Sequence, residues 1–206
     1  MMSRGRGLSA IATVALAISA CAALSERGSS TSPLEAAPGV AWGTIAVDVR
    51  FYELRESSES TLRKEIRSAR AARGMREYGD TQWRIRTNYD FATSDGDCEP
   101  TRVDASLELR VTLPRLRDPD SLSPELRSKW RSFLRALREH QAKHKQIAME
   151  CAERVSAELA AAAAVRCELF DETMQSITEE VTSTCHARSA DYDLRTRHGA
   201  SEGATF

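Results

Sequence analysis

His140 and His144 stand one helical turn apart in the stretch Trp130–Cys151, WRSFLRALREHQAKHKQIAMEC. At about 100° per residue, Trp130, Phe133, Leu137, His140, His144, Ala148 and Cys151 share one side of a helix. The two imidazoles continue an apolar stripe, which predicts that they face the interior and need partners there. Two histidines at i and i+4 can offer two neutral nitrogens to one tetrahedral zinc. The spacing alone is not specific in a chain with four histidines; its place within the stripe is what points to a metal.

The cysteines form the second chemical set. Beyond Cys21 there are Cys98, Cys151, Cys167 and Cys185, an even number that predicts two disulfides in an exported chain. Three connectivities are open. If the two long helical segments fold back on each other, Cys151 lies opposite Cys185 and Cys98 is left with Cys167. Other chemistry is sparse: the chain has no Gly-rich phosphate loop and no serine or cysteine nucleophile motif. His186 reads as a helix C-terminal cap, and Trp83 and Trp130 read as core residues. Ser94-Asp95-Gly96-Asp97 reads as a hairpin turn in preference to a calcium loop.

The elements that must hold these residues follow from hydrophobic period. Ile45, Val47, Val49 and Phe51 alternate with polar residues, as in a half-buried strand. Residues 57–74 read as a short helix with serines at its start, Leu62, Ile66 and Ala69 on its apolar face, and Gly74 as its stop. Residues 82–92 and 103–113 alternate again and should pair as an antiparallel hairpin with one dry face. Ser123 and Pro124 open a helix as N-cap and first residue. No Gly or Pro follows until past Arg188, too long for one helix in an ordinary domain. The expectation is a helical hairpin: Pro124 to about Ala163, a turn near Val165–Glu168, and a second helix to about Cys185. The polar segment from Asp191, DYDLRTRHGASEGATF, reads as an irregular tail.

The front end belongs to processing. Arg4 and Arg6 precede an apolar run from Leu8 to Ala20, shorter than the roughly 20 residues needed to span a bilayer. Ile18-Ser19-Ala20-Cys21 resembles a bacterial lipobox, which implies lipidation at Cys21; alanine at position 22 then favours the outer membrane. Residues 1–20 are read as a lipoprotein signal peptide, 21–43 as a flexible Ser/Ala/Gly/Pro tether and 44–206 as the domain. Lys and Arg total 29 against 30 Asp and Glu, and removing Arg4 and Arg6 leaves 27 − 30 = −3. That balance gives no cationic excess for nucleic acid.

The order strand, helix, hairpin, LPRL, WRSFLRALREHQAKH and a terminal YDLRTRHGASEGA resembles a bacterial family described as predicted secreted zinc-dependent proteases. The resemblance spans about residues 44–205. Its most specific parts are a tryptophan-led helix running into HExxH and a terminal YDxxTxHG. It implies an α+β, zincin-like domain: a three-stranded antiparallel sheet with one short helix, packed on a long helical hairpin. It further implies zinc held by His140, His144 and His198, with Asp193 in reserve, and makes Tyr192 a candidate to orient a substrate carbonyl. One position departs from the motif: Gln141 occupies the place of the general-base glutamate. An amide has no titratable proton, and Glu139 points about 100° away around the helix.

Three functions follow as expectations. The first is a lipid-anchored, zinc-binding, metalloprotease-like envelope protein with impaired or lost peptidase activity. The second is a metal-free envelope lipoprotein that binds a peptide or protein partner. The third is a hydrolase with an unconventional base.

Overall fold

A computed structural model of the protein describes residues 41–206. The signal peptide read at 1–20, Cys21 and the tether up to residue 40 lie outside the described residues. The described chain is α+β, with three α-helices and one four-stranded sheet. In order the elements are β1 (Ala41–Leu54), α1 (Glu59–Ala71), β2 (Asp80–Ser94), β3 (Asp97–Leu116), α2 (Pro124–Ala160), β4 (Val165–Arg166) and α3 (Phe170–Thr196).

Two features of the sheet differ from expectation. It has four strands rather than three, and it is mixed: β3 lies between β1, parallel to it, and β2, antiparallel to it. The chain reverses once between β1 and β2 and again at Asp95-Gly96, and two reversals restore the direction of β1 in β3. Hydrophobic alternation carries no direction, so it cannot distinguish these pairings. The Asp95-Gly96 turn has φ of 53° and 84°, the pair of positive values that a tight two-residue hairpin needs. The fourth strand, β4, is two residues long and pairs with Asp97 and Cys98, next to the Cys98–Cys167 disulfide. A segment that short has no readable period.

β3 supplies the dry face. Val103, Ala105, Leu107 and Leu109 are buried, and Ala148 and Ala152 of α2 pack on Leu107 and Leu109. The opposite face is wet and carries cross-strand ion pairs such as Arg86–Glu108 at 2.8 Å. β1 breaks its expected pattern. Val49 and Phe51 are exposed, whereas Tyr52 and Leu54 are fully buried with Leu62 and Ile66 of α1. The end of β1 is thus covered by α1, and burial there follows that helix instead of the alternation upstream.

α2 starts as predicted, with the Ser123 hydroxyl accepting from the Leu126 amide at 3.2 Å and Pro124 in the first turn. All seven residues of the predicted stripe, Trp130 to Cys151, are buried. The helix ends at Ala160, slightly before the expected Ala163, where the chain turns into β4. α3 packs against α2, and the Cys151–Cys185 disulfide joins them. Both disulfides therefore have the pairing expected from folded-back helices, and they indicate an oxidising, exported environment. No helix among the described residues is long and apolar enough to cross a membrane.

α3 also corrects the reading of the end of the chain. It runs on past Cys185 to Thr196, and the segment after it is anchored, not irregular. Ala204 and Phe206 are buried, and the Phe206 ring sits 5.3 Å from Trp130 and 5.4 Å from Phe133. Burying a phenylalanine contributes roughly 2 kcal/mol. The Tyr78 hydroxyl donates to the Phe206 main-chain oxygen at 3.3 Å, and Arg63 reaches the same atom. His186 lies within α3 and stacks on Trp83 at 4.1 Å, so it is not the C-terminal cap.

Candidate metal centre

The helical period of α2 places His140 and His144 on its buried side, 2% and 5% exposed. α3 answers with the same period: Ser189, Tyr192 and Asp193 follow Cys185 at spacings of one and two turns, so the disulfide-bearing face reaches the histidines. Asp193 is the meeting point. Its Oδ1 lies 3.1 Å from His140 Nε2 and 2.9 Å from His144 Nε2, and the two Nε2 atoms are 3.2 Å apart.

The outer nitrogens are engaged as well. His140 Nδ1 lies 2.9 Å from Glu202 Oε2, and His144 Nδ1 lies 2.8 Å from Ser189 Oγ. An ionised carboxylate only accepts, so His140 Nδ1 carries a proton and donates to Glu202. That leaves Nε2 of neutral His140 as a lone pair facing the Asp193 carboxylate. Only an additional proton or a cation makes this contact favourable. With a proton, burial opposes the imidazolium, yet the bonds to Asp193 and Glu202 outweigh it and hold the His140 pKa above its ordinary value. Burial likewise works against ionised Asp193, but hydrogen bonds and charge from both histidines keep its carboxyl well below the usual range.

The segment 197–203 closes the site. Arg197, His198 and Gly199 are consecutive left-handed residues, with φ of 51°, 55° and 78°. They end α3 with the His198 amide donating to the Asp193 carbonyl at 2.7 Å and the Arg197 amide to Leu194 at 3.2 Å. Gly199 is required twice over: its φ is positive, and a Cβ there would stand 3.0 Å from His140 Cγ and 2.9 Å from Ala204 Cβ.

Each residue singled out in the sequence has a definite place. His140, His144 and Asp193 converge, with one ligand atom from each lying within 4.8 Å of the others. His198 is set differently: its Nδ1 is 2.5 Å from Glu77 Oε1, and it forms with Glu77 and Asp193 a second group whose ligand atoms lie within 4.8 Å of one another. The Tyr192 ring stacks on His140, with centroids 4.9 Å apart, and its hydroxyl donates to Glu202 at 2.9 Å. Burial and Glu202 together push the Tyr192 pKa far above its ordinary value. Gln141 is buried, and its Oε1 accepts from the Thr81 hydroxyl at 2.7 Å.

Four contributors escaped sequence reasoning: Ser189, Glu202, Glu77 and Asp80. Ser189 and Asp193 are one turn apart, a signal readable only once α3 is known to continue. Glu77 and Asp80 lie just before and at the start of β2, and both carboxyl pKa values are raised, chiefly by burial. Nothing local marks them, or Glu202, as facing a histidine pair.

The arrangement is an N/O donor set on the scale of a small divalent ion. A tetrahedral zinc with bonds of about 2.0–2.1 Å separates its ligand atoms by about 3.3 Å. The triangle of two Nε2 atoms and Oδ1 has edges of 3.1, 2.9 and 3.2 Å. Glu202 and Ser189, on the far ring nitrogens, occupy the positions from which outer partners orient metal-binding imidazoles.

No curated protein and no solved structure matches the chain. A bacterial protein family of unknown function, DUF922, matches residues 49–199. The matched span runs from β1 to Gly199 and includes His140, Gln141, His144, Asp193 and His198, though not Glu202. With most of its length covered, the chain belongs to this DUF922 family.

Proposed function

We propose that this chain is a lipid-anchored cell-envelope protein whose domain binds zinc through His140, His144 and Asp193. The domain is zincin-like in plan, with a helical hairpin of α2 and α3 behind the sheet, and its peptidase chemistry is impaired or lost. One observation carries the zinc reading. Two imidazole Nε2 atoms and a carboxylate oxygen crowd into a triangle with edges near 3 Å, while the Nδ1 of His140 is held by a carboxylate. The reserve ligand of the sequence reading, Asp193, takes the third place ahead of His198.

When bound, zinc would supply Lewis acidity, polarising a carbonyl and acidifying water. The protein's own residues do the rest. Glu202 and Ser189 hold the imidazoles in orientation, and Tyr192 covers one ring. Gln141 cannot shuttle the proton that HExxH chemistry requires, a contribution of about 10²–10⁴ in rate. Its amide is bonded to Thr81. An anchor at Cys21 would hold this site at the outer membrane, facing the periplasm.

A second reading also has support. Protons on the two histidines satisfy the same contacts with Asp193, Glu202 and Ser189 without any metal. On that reading the protein is an envelope lipoprotein that binds a peptide or protein partner. Zinc analysis of protein purified without an affinity tag separates the two. Bound zinc that falls when His140→Ala is introduced is expected; a trace amount unchanged by His140→Ala overturns the zinc reading. A peptidase assay tests position 141: little or no cleavage by wild type and a gain with Gln141→Glu are expected. Efficient cleavage by wild type, with no gain from Gln141→Glu, contradicts the role given to Gln141.

A further inference from the structure

Asp193 takes part in two ligand-atom groups at once. Beside its contacts with His140 and His144, it forms a group with Glu77 and His198 in which one ligand atom of each lies within 4.8 Å of the others. The second group is assembled from separate parts of the chain: Glu77 precedes β2, Asp193 is in the last turn of α3, and His198 follows that helix. It is also held in place. The His198 amide donates to the Asp193 carbonyl at 2.7 Å, and left-handed backbone at Arg197, His198 and Gly199 folds the His198 side chain back toward its own helix end. His198 Nδ1 meets Glu77 Oε1 at 2.5 Å.

The chemistry of this group is that of a cation site. Two partly buried carboxylates, Glu77 and Asp193, each place an oxygen within ligand distance of the other and of the His198 ring. Glu77 and Asp193 would carry two negative charges together, and one imidazole completes an N/O donor set suited to a borderline divalent ion. A carboxylate has two oxygens and can serve two ions. The Asp193 oxygen facing the imidazoles is Oδ1, and no hydrogen bond engages Oδ2 among those described.

We infer that Glu77, Asp193 and His198 form a second divalent-cation site, with the Asp193 carboxylate shared between it and the His140–His144 site. Paired metal ions in hydrolytic enzymes lie about 3.5–4 Å apart and stabilise the attacking and the leaving oxygens of a displacement. The inference rests on the zinc reading of the first site. It also gives Glu77 and His198 a purpose that a surface ion pair would not require, since the pair lies against the partly buried Asp193.

The test is zinc stoichiometry, measured by equilibrium dialysis and elemental analysis of the untagged protein with zinc alone as the probe. Wild type is expected to hold two zinc ions per chain at saturation, and Glu77→Gln and His198→Ala one each. Circular dichroism checks that both variants are folded, and His198→Gln replaces His198→Ala if that variant is not. One zinc in wild type and one in each variant overturns the second site and leaves the first intact. Two zinc ions in all three proteins also overturn it, because the second ion would then lie elsewhere. No zinc in wild type removes the first site, and this inference with it. Cobalt adds an independent readout: the shared carboxylate predicts magnetic coupling between two bound Co(II) ions, lost in Glu77→Gln.

Discussion

At position 141 an amide stands where the HExxH motif that the sequence resembles has a carboxylate, and its environment shows how the domain accommodates it. The Thr81 hydroxyl donates to Gln141 Oε1, and a Cβ added at Gly79 would come within 3.2 Å of Nε2, so the side chain is packed between α2 and the start of β2. Neither contact reaches a proton-transfer partner. The His140–His144–Asp193 cluster depends on a different neighbour, Glu202, which holds both His140 Nδ1 and the Tyr192 hydroxyl. Outer partners of metal-bound histidines typically contribute 10–100-fold to affinity. Glu202→Gln should therefore weaken zinc binding by about that factor while the fold survives, read by competition with a chromogenic chelator. An unchanged affinity would show that Glu202 does not orient His140.

At the scale of elements, the site depends on α3 staying in register with α2. Cys151–Cys185 fixes that register one turn from Ser189 and two turns from Asp193. A cross-link closing a loop of 34 residues stabilises a fold by roughly 3–4 kcal/mol in the chain-entropy description. The double variant Cys151→Ser/Cys185→Ser should lose stability of that order in urea unfolding and should also bind zinc more weakly. A variant that loses stability but keeps full zinc affinity would show that packing alone sets the register. The limit of sequence reading lies at this scale too. The stripe from Trp130 to Cys151 is legible because apolar side chains mark every turn of α2. The second half of α3 is not, because the face it turns toward the histidines is Ser189, Tyr192 and Asp193, polar residues that erase the hydrophobic period. The same blindness explains the mixed sheet, since alternation reports which face is dry and never which way a strand runs.

For the molecule as a whole, the centre joins parts remote in sequence: the approach to β2 through Glu77 and its first residue Asp80, α2 through its histidines, α3 through Asp193, and the final turn through Glu202. Phe206, packed on Trp130 and Phe133, pins that turn from outside. A cation bound here stabilises only the folded chain, by about 2.7 kcal/mol at a free concentration one hundred times its dissociation constant. For a domain of this size that corresponds to roughly 5–10 °C in Tm. Chelation should lower Tm by about this amount and added zinc should restore it, whereas a Tm indifferent to chelator would separate the site from stability. The histidine pair and the Asp193 candidate were visible in sequence, but the joining of Glu77, Ser189 and Glu202 to them was not. Their proximity is created by the sheet crossing and by the buried end of the chain.

The most direct measurement is anomalous diffraction at the zinc edge from crystals of the untagged protein. A peak is predicted about 2.0–2.2 Å from His140 Nε2, His144 Nε2 and a carboxylate oxygen of Asp193. Density free of anomalous signal between these atoms in zinc-soaked crystals, with the imidazoles joined to Asp193 by hydrogen bonds alone, would contradict it.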